Sequence, residues 1–233
     1  MPTAPNDYDR FARAYAADNE ANLSNAHYER PAILALAGSV AGRHVLDAGC
    51  GSGSLAAALR ERGALVTGAD KSASMLALAG ERLGPDVPLH QADLGEPLPF
   101  PDAVFDDVIA SLVLHYLRDW VPTLREFRRV LQPAGRLIVS THHPFMDHSL
   151  AGGTDYVATY HITEEGTKGG QTALMSFWHR PLHAMTDAFT ASGFRLGVIS
   201  EPQPDPAARA LFPGDFAIFS TQPRFLFFVL HVS

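Results

Sequence analysis

The chain has 233 residues, enough for one large α/β domain or a domain carrying an inserted lid. Hydrophobic residues make up 46% and charged residues 18%, an ordinary globular balance; the formal net charge of −7 and the lack of a Lys/Arg cluster exclude nucleic acid as the main partner. No apolar run reaches the roughly 18–20 residues of a membrane span, residues 1–7 lack the basic and apolar regions of a signal peptide, and a single cysteine fits a reducing cytoplasm.

Residues from about 8 to 40 read as helical, with Phe11, Ala14 and Tyr15 and then Ile33, Leu34, Leu36, Ala37 and Val40 at helix-like spacing. Pro31 sits where a helix can start. Val45 and Leu46 end a buried strand, and a glycine-rich turn leads into a helix over 55–61 that stops near Gly63. Residues 64–70 form a second strand ending in an acid, 72–79 a short helix, and Gly84-Pro85 breaks the chain. Residues 89–93 are a third, shorter strand that also ends in an acid, and 105–112 a fourth. A helix with Leu117, Trp120, Leu124, Phe127, Val130 and Leu131 along one stripe follows, then a turn at Pro133-Ala134-Gly135 and a fifth strand over 136–141.

From His142 to about His179 the alternation lapses into a segment rich in Gly, Thr, Tyr and His. Its two alternating runs, 156–162 and 172–178, predict a β-rich insertion. Pro181 opens a helix through Ala191, Gly193 stops it, and 194–200 is a sixth strand. The proline-rich 201–206 is a rigid connection, and 225–230, apolar on both faces, is a central seventh strand. Strands alternating with helices predict an α/β fold with a doubly wound, mostly parallel sheet. The organisation is a single domain over 1–233, with an N-terminal helical cap over 1–40 and an inserted lid over 142–180.

The chemistry concentrates in Val45-Leu46-Asp47-Ala48-Gly49-Cys50-Gly51-Ser52-Gly53. Glycines at alternate positions let the backbone turn sharply and approach a ligand at a helix N-terminus. A dinucleotide's pyrophosphate would be repelled by Asp47, and the third glycine of the dinucleotide fingerprint is replaced by Ser54. A carboxylate at this turn suits a cationic ligand instead, one with an amino group and a sulfonium, such as S-adenosyl-L-methionine. Asp47, Asp70 and Asp93 then stand at the ends of successive strands, where doubly wound sheets place ligands.

The loop, the three spaced acids and the seventh strand together resemble the class I S-adenosylmethionine-dependent methyltransferases, small-molecule branch, from about Arg43 to the C-terminus. The resemblance implies a seventh strand inserted antiparallel between strands five and six. It implies cofactor contacts from Gly49, Gly51 and Gly53 of the loop, Asp70 on the ribose, Asp93 and the backbone of Leu94 on adenine, and Lys71 and Met75 beside the adenine plane. Ser111 would sit beside the methionyl moiety, and Tyr28 would cover the cofactor. The branch also carries the pairs His143-Pro144 and His179-Arg180.

A general base is needed only where the acceptor arrives protonated. His143, His179 and His115 are the candidates, since histidine titrates near neutral pH. His142 stands where the branch would have an acid. Tyr15, Tyr116, His142, Tyr156, Tyr160, Trp178 and Arg180 are the candidate substrate contacts, Arg180 either clamping a carboxylate or pairing with a neighbouring acid. His142, His143, Asp147 and His148 have no acidic pair or cysteine beside them, so no metal is expected. The expected partner is a small-molecule substrate, with no nucleic acid and no membrane; a homodimer is left open. Competing readings are a non-catalytic S-adenosylmethionine-binding protein and an NAD(P)-dependent oxidoreductase or epimerase.

Overall fold

The computed structural model describes residues 6–153, 155–168 and 171–233. In chain order come helix α1 (Tyr8–Ala21), a π-helical turn (Asn25–Glu29), α2 (Arg30–Ala37), strand β1 (His44–Ala48), α3 (Ser54–Glu61), β2 (Leu65–Asp70), α4 (Ala73–Leu83), β3 (Leu89–Gln91) and β4 (Phe105–Ser111). A 3₁₀ turn (Leu114–Tyr116), α5 (Val121–Val130), β5 (Leu131–His142), α6 (Pro144–Leu150), β6 (Tyr160–Lys168) and β7 (Gln171–His179) follow. The chain ends with α7 (Leu182–Ala191), β8 (Phe194–Ser200), α8 (Ala208–Leu211), α9 (Pro213–Phe219) and β9 (Phe225–Val232).

Seven strands make one sheet in the order β3-β2-β1-β4-β5-β9-β8, and β6 and β7 form a separate antiparallel hairpin. β3, β2, β1, β4 and β5 pair in parallel, while β9 runs antiparallel between β5 and β8. This is the expected α/β architecture, with the last strand inserted between the fifth and the sixth of the sheet. β9 lies buried from Phe225 to Leu230, as its two-sided apolar run requires. One core layer packs α5 and α7 through Trp120, Leu124, Phe127 and Phe189. The opposite layer packs α2, α3 and α4 through Ile33, Leu59, Ala79 and Leu83.

Two parts of the reading need correction. The segment after β5 is not β-rich from its start: Pro144–Leu150 is helical, with Pro144 at the first position and the His143 side chain capping it. Composition hid this helix, because the Gly and Thr that suggested strands begin only after it. The stretch after the proline-rich connection also holds α8 and α9, too short to show periodicity. Residues 1–5 of the expected cap lie outside the described residues. Among the described residues no helix is long and apolar enough to cross a membrane.

Candidate active site

A cavity of about 240 Å³ is walled by residues at the C-terminal ends of β1, β2 and β4. The strand order reverses between β1 and β4, the place where open α/β sheets take their ligands. Gly49 holds φ +79°, and a Cβ there would come within 2.7 Å of Val113, so the wall closes only around a glycine. The Gly49 and Cys50 amides both donate to the Ala69 carbonyl, at 2.7 and 3.0 Å, and tie the turn to β2.

Four carboxylates line this cavity, Glu29, Asp47, Asp70 and Asp93. Asp47 is 1% exposed, and its Oδ2 has no hydrogen-bond partner in the structure. Burial above all, then the nearby Asp70 and Glu29, pushes its carboxyl up to about 7. Asp70 is held by two backbone amides, Gly51 on Oδ2 and Ser72 on Oδ1, each at 2.9 Å. Burial raises its pKa too, against the pull of those amides. Glu29, from the π-helical turn, is 3% exposed, and the Ser111 and Ser140 hydroxyls donate to its Oε1 at 2.7 and 2.6 Å. Its carboxyl is likewise raised by burial.

Lys71, Met75, Asp93 and Leu94 line the wall on the β2–β3 side, where the Gly95 amide donates to Asp93 at 2.9 Å. The roof is α1. Tyr8 and Tyr15 pack edge-to-face at 4.9 Å, and the Tyr8 hydroxyl bonds that of Tyr116, which follows β4. Polar contacts fasten this helix down: Asp9 accepts from the Ser74 amide at 3.0 Å, and Arg13 pairs with Glu81 at 2.8 Å. Asn6 binds the backbone of Ser176 through both side-chain atoms, at 2.7 and 2.9 Å, and so ties the roof to the hairpin.

Of the residues singled out in the sequence, Tyr15, Asp47, Gly49, Gly51, Asp70, Lys71, Met75, Asp93, Leu94, Ser111 and Tyr116 line the cavity. Gly53 does not; it caps α3 with φ +79° and packs on Ala79 and Leu83. Tyr28 turns into the core against Phe225 (5.2 Å) and Phe219, so its neighbour Glu29 takes the cavity position. Glu29 was missed because nothing local marks it: its serine partners lie 82 and 111 residues away. Tyr8 lines the cavity as well.

The remaining candidates stand outside the cavity wall, and their surroundings correct several expectations. His143 accepts from the Phe145 amide through Nδ1, which leaves Nε2–H to donate to Glu201 at 2.7 Å. Both nitrogens are thereby engaged, Nδ1 in capping α6 and Nε2 with Glu201, a poor state for a base. His179 is fully buried, stacked on Tyr160 at 4.5 Å, with Nε2 on the Tyr156 carbonyl at 2.9 Å. These three seat the hairpin. Arg180 lies over the Trp120 ring at 4.8 Å and donates to the Arg118 carbonyl, and its buried Nε has no hydrogen-bond partner. Trp178 packs beside Arg118 and His161.

His115 is buried and stacked on His142 at 3.9 Å; burial drives its pKa well below the ordinary value and keeps it neutral. His142 Nδ1 lies 3.2 Å from Asp147 Oδ1. Among the described residues no three His, Cys, Asp or Glu side chains are grouped as a metal ion would need.

Residues 46–139 match the family model described as a methyltransferase domain. The chain is 38% identical over 111 residues to a malonyl-[acyl-carrier protein] O-methyltransferase of Serratia marcescens, covering 47% of this chain and 42% of that one. It is 36% identical over 134 residues to a demethylmenaquinone methyltransferase of Tropheryma whipplei (strain Twist), covering 57% and 56%. The chain thus spans about half the length of these curated relatives. Among solved structures, an S-adenosylmethionine-dependent methyltransferase from Mesorhizobium loti is similar at 28% identity, with a TM-score of 0.68 over 86% of this chain and 96% of that one. Residues 46–139 are thus similar to a methyltransferase domain, on a fold shared with an S-adenosylmethionine-dependent methyltransferase. The cavity residues fit that cofactor. An unpartnered buried carboxylate oxygen calls for a cation, and four acids around one cavity would repel a pyrophosphate.

Proposed function

We propose that this chain transfers the methyl group of S-adenosyl-L-methionine to a small organic acceptor by in-line displacement. The observation that carries the reading is Asp47, buried beside the glycine turn with one oxygen unpartnered and its carboxyl raised to about 7. Such a carboxylate is stabilised by a ligand that brings positive charge into the cavity. When bound, the cofactor supplies an activated methyl whose leaving group is a neutral thioether. The chain's own work is then orientation and exclusion of water. Asp70, oriented by the Gly51 and Ser72 amides, has lone pairs left for a ribose diol. Tyr8, Tyr15 and Tyr116 close the roof with apolar surface. The relatives' names disagree on an acceptor, and the acceptor atom follows from none of them.

Calorimetric titration with S-adenosylmethionine and with NAD tests this reading. Binding of the first and not the second is expected, and Asp70→Ala should weaken it by about 1–3 kcal/mol, the scale of hydrogen bonds to a charged group. A wild type that takes up NAD and ignores S-adenosylmethionine removes the proposal.

A further inference from the structure

Along the C-terminal rim the strands run β3, β2, β1, β4, β5, each about 4.8 Å from the next. The acids Asp93, Asp70 and Asp47 belong to the first three positions in that order. On the methyl-transfer reading, on which this inference rests, those three face the nucleoside and the cationic end of the cofactor. The next two strands present Ser111 and Ser140, and both hydroxyls converge on Glu29 Oε1. This fourth acid, 3% exposed and lining the same cavity, is held on the β4–β5 side, apart from the strand ends that carry Asp93 and Asp70. With Oε1 doubly engaged, Oε2 is the oxygen left for a ligand.

We propose that Glu29 is the residue that receives the acceptor, taking first the hydrogen bond and then the proton of a nucleophile that enters as a neutral or cationic N–H or O–H group. The balance is simple. The acceptor atom bonds to the methyl carbon, the carbon–sulfur pair stays on sulfur, and the acceptor's proton passes to Glu29 Oε2 and then to water. Two features support the assignment. The serines hold the carboxylate in one place without satisfying it, which is what a positioned base needs. An anionic acceptor, by contrast, would enter a cavity already holding Asp47, Asp70 and Glu29. The nearest cation, Arg30, is turned to Glu20 at 3.0 Å and the Asn19 carbonyl at 3.1 Å. The titratable groups sharing the cavity with Glu29 are Asp47 of β1, Cys50 of the glycine turn, Asp70 of β2, Arg30 of α2, Tyr8 and Tyr15 of α1, Tyr116 after β4, and Lys71 and Asp93 at the far side. Burial raises the Glu29 carboxyl, moving it toward the range of a base that works near neutral pH.

The test uses the full chain, with Glu29→Gln, Glu29→Asp and Asp47→Asn. Calorimetry with S-adenosylmethionine should find Glu29→Gln within about threefold of wild type and Asp47→Asn weakened about tenfold or more. Methyl transfer from labelled cofactor to a panel of primary amines, alcohols and matching carboxylic acids should label amines or alcohols. Glu29→Gln should lower that rate about 100-fold, the scale of a lost general base, and Glu29→Asp should recover part of it. The wild-type rate should rise with pH as the carboxyl loses its proton, and the Glu29→Gln rate should not. Glu29→Gln losing as much cofactor affinity as Asp47→Asn overturns the assignment, as does a Glu29→Gln rate within threefold of wild type. A wild type that binds cofactor but methylates only acids, or nothing in the panel, overturns it as well. A wild type that fails to bind S-adenosylmethionine overturns the methyl-transfer reading itself.

Discussion

Two buried aspartates on neighbouring strands have opposite surroundings. Asp107 of β4 stands opposite Val45 of β1, and two residues further along β1 is Asp47. Both side chains are shut off from solvent, at 0% and 1% exposure. Asp107 is gripped by two guanidinium groups: Arg43 and Arg136 each bond both of its oxygens, with Arg136 at 2.7 and 2.9 Å. Asp47, toward the C-terminal end of the same parallel ladder, meets Asp70 and Glu29 instead and keeps an unpartnered oxygen. One rim of the sheet is therefore neutralised for stability, and the other carries electrostatic stress that a ligand can relieve.

The largest effect should come from the satisfied acid. Asp107→Ala leaves two arginines facing each other without their shared partner, a change that typically costs about 3–5 kcal/mol. Arg43 and Arg136 keep 32% and 22% of their side-chain surface in solvent, so the lower end, about 3 kcal/mol, is expected. Urea unfolding measures it. A loss below about 1 kcal/mol would mean the cluster is decorative and the contrast between the rims is false.

Asp47→Asn sharpens the contrast, because here stability should rise. The folded carboxyl titrates near 7, above the unfolded value of about 3.9, so the native state binds more protons between those values. Stability therefore falls as pH rises from about 4 to about 7 and levels off above. Asp147, buried and also pushed up to about 7, contributes a second fall in the same window. Asn at position 47 removes the first of the two, giving about 1–3 kcal/mol more stability at pH 8 in the ligand-free protein and a shallower pH dependence. Paired urea melts at pH 5 and pH 8 decide this. A destabilised variant with an unchanged slope would show that Asp47 is already compensated.

The same contrast explains what could be read from the sequence. Asp47, Asp70 and Asp93 each lie within two residues of the end of a strand that has its own periodicity, so each acid's place on the rim follows from local pattern. Glu29 reaches the cavity through a π-helical turn and meets serines on two distant strands, a tertiary arrangement that no spacing encodes. The histidines misled for the converse reason. His143 and His179 sit beside the rim in sequence, but one caps a helix and the other is buried under the hairpin. Packing holds both nitrogens of His143 but only the Nε2 of His179, whose Nδ1 keeps no hydrogen-bond partner.

His143→Ala carries the smallest effect and tests that last point directly. The Phe145 amide would lose its cap at 3.2 Å, a long bond on a helix of seven residues, so the cost should sit near 0.5–1 kcal/mol on the usual scale of about 0.5–2 for a lost cap. The Nε2–H bond adds little, since the Glu201 side chain that accepts it is 57% exposed and water readily replaces it. Cofactor affinity should stay within about twofold, because the side chain is not part of the cavity wall. A catalytic base at this position would instead leave stability nearly untouched and lower methyl transfer about 100-fold or more. Measuring unfolding and turnover on the one variant separates a cap from a base, and a turnover loss of that size would return His143 to the active site.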